Sequence, residues 1–128
     1  MAWRTQAEPD PVRATDKWEV QLRKGCLELA ILASLWSEDR YGLEILRWLE
    51  GESDLVLSEG TVYPLLARLR DDGMVDARWV EAEAGHPRKY YRLTRAGRRR
   101  AVLMARLWAK FTAGLGGLIA PLLAEGRS

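Results

Sequence analysis

Residues 88 to 100 hold seven basic side chains (Arg88, Lys89, Arg92, Arg95, Arg98, Arg99 and Arg100) and no acidic one. The chemistry open to such a cluster is capture of a polyanion, through charge-assisted hydrogen bonds from guanidinium and ammonium groups to phosphate oxygens. The rest of the chain carries 13 basic and 18 acidic groups, a net −5 against +2 for the whole. The signal lies in where the positive charge is gathered, since the total is small.

Other chemistries find little material. Cys26 is the only cysteine and His86 the only histidine, so a zinc site of soft ligands has no ligand set, and no intrachain disulfide can form. A nucleophilic Ser/His or Cys/His pair would have to use His86, in a Gly-His-Pro loop with no clear orienting carboxylate nearby, and no phosphate-cradling glycine loop is present. The expectation is a protein with no catalytic residues, no metal and no cofactor. No apolar run approaches the roughly 20 residues needed to span a bilayer, and residues 1–16 lack the apolar stretch of a signal peptide. A cytoplasmic protein without a membrane partner is expected.

The elements that must position the cations are legible in the spacing. At 128 residues the chain suits one domain with an added helix. Residues 1–16, with Pro9 and Pro11 among charged residues, read as a mobile N-terminal arm. From Trp18 to Trp36 a helix is expected, with Leu22, Cys26, Leu29, Ala33 and Trp36 on one face and Leu27, Ile31 and Leu35 on the other. A helix apolar on both faces must be covered on both sides, and a domain this small has trouble doing so alone. A second helix runs from Tyr41 to Glu50 and ends at Gly51, followed by an extended Leu55-Val56-Leu57. Ser58 caps a third helix that stops at Gly73. Val75, Ala77 and Trp79 alternate with polar residues as in a half-buried strand, and Lys89 to Leu93 gives its partner. Thr94 then caps a last helix to about Ala113, where Gly114, Gly116 and Gly117 weaken it.

Three helices followed by a hairpin with a long loop give a mainly α fold with a small antiparallel β-hairpin. This is the order of a winged helix-turn-helix (17–93) with a C-terminal dimerisation helix and tail (94–128). The third helix then reads DNA. Val62, Leu65, Leu66 and Leu69 form its core stripe, while Gly60, Pro64 and Ala67 present a small outward face flanked by Thr61, Tyr63 and Arg68. Ser58 and Thr61 can donate to phosphates, and Arg68 to a phosphate or a guanine edge. Pro64 removes a backbone donor and predicts a kink. His86, Arg88 and Lys89 belong to the wing. A winged-helix module that binds another protein through its aromatic surface is the alternative. The last helix carries Leu103, Met104, Leu107, Trp108, Phe111, Leu115 and Leu118 on one broad face and Ala105, Ala109, Thr112 and Gly116 on another, which implies a second copy of the chain and a palindromic site on double-stranded DNA.

Five segments together look familiar: Arg23 to Leu35, Tyr41-Gly42, Leu57-Ser-Glu-Gly-Thr-Val-Tyr-Pro-Leu-Leu-Ala-Arg-Leu69, Asp72-Gly-Met-Val75, and Arg88-Lys-Tyr-Tyr-Arg-Leu-Thr94 with Gly97. In this order they resemble the PadR family of bacterial transcriptional regulators over about residues 20 to 100. The resemblance implies a dimeric winged-helix DNA-binding protein, most often a repressor released by a small molecule, of the short kind with a single C-terminal helix. It departs from the family pattern at His86 and in the glycine-rich end of the last helix. Short members bind flat hydrophobic compounds between protomers. The matching walls here would be Trp108, Phe111, Met104 and Trp18 or Trp36.

Overall fold

The computed structural model describes residues 10–53, 55, 58–81 and 85–125. Residues 1–9 of the expected arm, 56–57 of the expected connection, 82–84 of the wing loop and 126–128 of the tail lie outside the described residues.

The first helix, α1 (Pro11–Ser34), starts seven residues before the expected Trp18. The Asp10 carboxylate accepts the Val12 N–H at 3.1 Å, and Pro11 takes the first helical position, where its missing N–H costs nothing. Residues 11–16 are therefore helix, not arm. After α1, Arg40 turns back on it. Its Nε donates to the Ser34 carbonyl at 2.6 Å while its head pairs with Glu38 at 3.1 Å and lies 5.2 Å from the Trp48 ring centroid. A cation at a helix C-terminus meets the negative end of the dipole.

Arg40 and Tyr41 form β1, a two-residue strand that alternation could not reveal. The second helix, α2 (Gly42–Glu52), follows at once, with the Glu44 carboxylate accepting the Tyr41 N–H at 3.2 Å. Next comes α3 (Glu59–Asp71), then β2 (Val75–Val80), β3 (Arg88–Leu93) and α4 (Arg95–Glu125). The sheet is antiparallel in the order β1-β3-β2, with Tyr41 opposite Tyr90, and Val75 to Val80 opposite Leu93 to Arg88.

The core closes where the helices meet the inner sheet face. It contains Leu27, Ile31 and Leu32 of α1 with Leu35 at its C-cap, Ile45, Leu46 and Leu49 of α2, Val62, Leu66 and Leu69 of α3, and Val75, Tyr91, Leu93 and Ala101. The expected stripe of α3 is thus buried, Leu65 only partly.

The Asp72-Gly73-Met74 segment ends α3 with a Schellman cap. Gly73 has φ +76°, the Met74 N–H donates to the Leu69 carbonyl at 2.9 Å, and the Gly73 N–H donates to the Arg70 carbonyl at 3.0 Å. Thr94 fastens the start of α4 to this cap. Its hydroxyl donates to the Gly73 carbonyl at 2.6 Å and accepts the Gly97 N–H at 3.0 Å. A Cβ on Gly97 would overlap the Met74 carbonyl oxygen, and that carbonyl cannot move without opening the cap. Gly97→Ala gains about 1 kcal/mol of helix propensity but forces a backbone overlap of larger cost. The expected net loss is about 2 kcal/mol, a melting midpoint roughly 7 °C lower by calorimetry.

The last helix does not break at its glycines: α4 runs unbroken through Gly114, Gly116, Gly117 and Pro121. Continuity also changes the reading of its apolarity. By length and composition α4 is long and apolar enough to cross a membrane, and none of its 18-residue apolar window is buried. Lys110 and the glycines interrupt the apolar run in the sequence, yet one unbroken helix carries its apolar residues past them.

Candidate nucleic-acid interface

Most of the small outward face expected on α3 is on the surface: Ser58, Gly60, Thr61, Pro64, Ala67 and Arg68 are all exposed. Ser58 occupies the N-cap position, yet its hydroxyl lies 3.0 Å from the Thr61 hydroxyl instead of capping a backbone N–H. The pair forms one polar corner at the helix start, with either oxygen free to turn a proton outward. Pro64 does not interrupt α3. Its missing N–H deprives the Gly60 carbonyl of its helical donor on this same surface.

Tyr63 is exposed beside these residues and makes a second contact. Its ring occupies the space a Cβ on Gly42 would need, so it packs against the start of α2 while staying 40% exposed. Gly42 and Tyr63, 21 positions apart, are thus the two sides of one contact. Burial raises the Tyr91 phenol above its ordinary pKa, nearby Tyr63 adds to this, and Arg70 opposes it. Tyr91 is therefore neutral at physiological pH.

The basic window spans the wing and the start of α4. Arg100 pairs with Glu28 of α1 at 2.8 Å. Arg98 lies 4.9 Å from the Trp36 ring centroid and donates to the Trp36 carbonyl at 3.3 Å. These two cations fasten α4 to α1 and to the turn that follows it, which narrows the polyanion footprint expected of all seven. In the wing, Arg88 and Lys89 point to opposite faces of β3, because neighbours on a strand alternate. Arg88 is exposed, over the Tyr41 ring at 4.6 Å. The Lys89 ammonium lies 5.9 Å from Trp79 and 5.8 Å from Tyr91, half-buried. Among the described residues neither has a carboxylate partner, nor has Arg68. His86 is exposed at the foot of the wing loop.

The sequence puts Arg92 in the basic window and Arg78 on the polar side of its strand, but gives Tyr41 no place beside them. The register puts Arg88, Tyr90 and Arg92 on one face with Val80, Arg78 and Asp76 opposite them. Arg78 is tied to Asp39 at 3.7 Å. Alternation within the strands places Arg92 and Arg78, while Tyr41 needs the β1 pairing.

The four residues expected to wall a ligand site are not gathered within one chain. Met104 packs against its own core. Trp108 lies with Leu22, Cys26, Leu55 and Thr112 around a recess of about 340 Å³, and Phe111 borders a different one of about 400 Å³ with Leu107, Leu115 and Leu118. Trp18, 62% exposed, lines neither of these. A third groove, about 560 Å³, runs between Leu29 and Ala33 of α1, with Trp36 just beyond its end, and Ala101, Ala105 and Ala109 of α4, so part of the small-residue stripe faces α1. The apolar stripe faces outward: Leu103, Leu107, Phe111, Leu115 and Leu118 are 61, 66, 70, 44 and 77% exposed.

Comparison with known proteins agrees with this geometry. The model of the transcriptional regulator PadR-like family matches residues 31–102. A PadR-like transcription factor from Bacteroides fragilis is 36% identical, with 80% of this chain and 99% of that one covered at a TM-score of 0.67. A PadR family transcriptional regulator from Eggerthella lenta is 28% identical, covering 85% of this chain and 95% of that one at a TM-score of 0.76. An uncharacterized protein of Lysinibacillus sphaericus is 29% identical over 89 residues, 68% of this chain and 82% of its own. The family match takes in both the third helix and the wing and spans more than half of the sequence, so this protein belongs to the PadR-like family of DNA-binding transcriptional regulators.

Proposed function

We propose that the chain acts as a homodimer on a two-fold symmetric operator, with each α3 in a major groove and each wing on the flanking backbone. In this reading it is a cytoplasmic, non-catalytic repressor that a small planar hydrophobic compound releases. The family assignment favours DNA over the protein-binding alternative.

The observation that carries the dimer is the bare stripe of α4. Covering each of its large side chains is worth about 1.5–3 kcal/mol before the costs of association. The helix also needs a cover. Gly114, Gly116 and Gly117 each cost about 1 kcal/mol relative to alanine and Pro121 about 3, more than an unpacked helix end in water sustains. A second copy supplies that cover and fixes the distance between two reader helices, which a palindromic site demands. Light scattering on the free protein and on its complex with a duplex tests this, with two chains expected in both.

Arg68 is the residue expected to read sequence. If its guanidinium forks onto a guanine, Arg68→Ala relaxes preference at one operator position at a cost of about 1–3 kcal/mol. Gel-shift titration across single-base operator variants checks this. Uniform weakening would make Arg68 a phosphate anchor.

Trp108 carries the effector reading. It is 52% exposed beside an apolar recess on the helix that sets the reader separation. A planar compound bound there in the dimer is expected to quench tryptophan fluorescence and weaken operator binding. Any such shift equals the ligand's differential affinity for the two states. Trp108→Ala should still dimerise and bind DNA but no longer respond. A wild type indifferent to a broad panel of planar dyes would contradict the effector reading.

A further inference from the structure

Tyr41 stands where the wing, the second helix and the reader helix meet. As the last residue of β1 it pairs across the ladder with Tyr90, and the two rings stand edge to face, 5.5 Å apart at 72°. The Arg88 guanidinium lies 4.6 Å from the Tyr41 ring centroid. On the other side the chain continues into Gly42, against which the Tyr63 ring of α3 rests. A line of contacts therefore runs from the wing cation through Tyr41 and Gly42 to the helix that enters the groove.

An arginine on a strand end samples many rotamers, and a phosphate contact must first select one of them. A ring face under the guanidinium attracts it through the quadrupole and restricts that search, leaving the edge N–H groups free to donate. Tyr90 holds the Tyr41 ring from the side, so the platform itself is fixed.

We infer that Tyr41 is a positioning residue for DNA binding: its ring holds the Arg88 guanidinium beside the reader helix, ready for a phosphate of the flanking backbone. The inference rests on the wing being a DNA-contacting element. It assigns the work to the ring, so the Tyr41 hydroxyl is dispensable.

The test is the affinity of the full-length protein for a random duplex as a function of salt, in four variants. Arg88→Ala should weaken binding and flatten the log–log salt dependence by about 0.9 per wing, the value of one lost phosphate contact. Tyr41→Leu should weaken binding about 2–5-fold, Tyr41→Phe should match the wild type, and Tyr41→Leu in the Arg88→Ala background should add nothing. Wild-type affinity in Arg88→Ala would overturn the wing reading and this inference with it. A weakened Arg88→Ala beside an unaffected Tyr41→Leu would overturn the positioning role alone. So would a Tyr41→Phe as weak as Tyr41→Leu, or a further loss in the double variant, which would mark a purely structural role. Should Tyr41→Leu fail to fold, the Arg88 Nε–H resonance decides. It should be ring-shifted in the wild type and in Tyr41→Phe, and an unshifted wild-type signal would overturn the inference.

Discussion

Leu107→Asp with Phe111→Asp is expected to turn the dimer into monomers and to remove operator binding in the same step. Both side chains lie on the outward stripe of α4, 66 and 70% exposed in the single chain, so neither change disturbs the core and the monomer should fold. In the dimer each aspartate would enter an apolar contact. Burying a carboxylate there costs several kcal/mol unless it finds a partner or water, and the two-fold axis doubles the effect. Operator loss follows because two heads no longer held at one spacing bind as independent weak sites. Sedimentation measures the mass and a gel shift the affinity. A mutant of wild-type mass would show that α4 does not join the two copies.

Arg88→Glu with Lys89→Glu is expected to abolish binding to specific and random duplexes alike, with the dimer intact. Phosphate contacts carry no sequence information, so the loss should be uniform, on the order of 100-fold or more. The geometry separates the two residues. Arg88 is exposed over Tyr41, whereas Lys89 is half-buried against Trp79 and Tyr91. Arg88→Glu alone should therefore account for most of the DNA effect. Lys89→Glu alone also places a carboxylate against two ring faces in place of a cation, and should lower the melting midpoint as well. Gel-shift titration and thermal unfolding of the single variants check this division, and equal affinities for wild type and double mutant would remove the wing from the mechanism.

Much of this was legible in the residues. The stripe of Val62, Leu66 and Leu69 and the alternation of Val75 and Ala77 are local periodicities that survive into the fold, whereas Trp79, next in that alternation, is 67% exposed. Thr94 as a cap and Gly73 as a stop follow from side-chain and backbone chemistry that needs no partner. What stayed hidden depends on contacts between distant segments. Two residues of β1 cannot show a period, and only pairing with Tyr90 defines them. Tyr63 reads as a surface residue and is 40% exposed, but its contact with Gly42, 21 positions earlier, does not show in the sequence. Arg98 and Arg100 look like part of one basic cluster, but α4 turns them onto Trp36 and Glu28. The start of α1 was misjudged for a different reason: Asp10-Pro11 is a helix-start signature that looked like a polar arm. Glycines in α4 were given their intrinsic cost, whereas the helix runs on through them.

The central claim, that α3 and the wing of a symmetric dimer together recognise DNA, is tested most directly by selecting genomic fragments with the purified full-length protein at graded salt. The account predicts that a few fragments are enriched, and that they share an inverted repeat with half-sites about one helical turn apart, roughly 10 base pairs or a multiple of it. It predicts that their retention falls steeply as salt is raised. Recovery of fragments with no common symmetric element, or binding indifferent to salt, would contradict it.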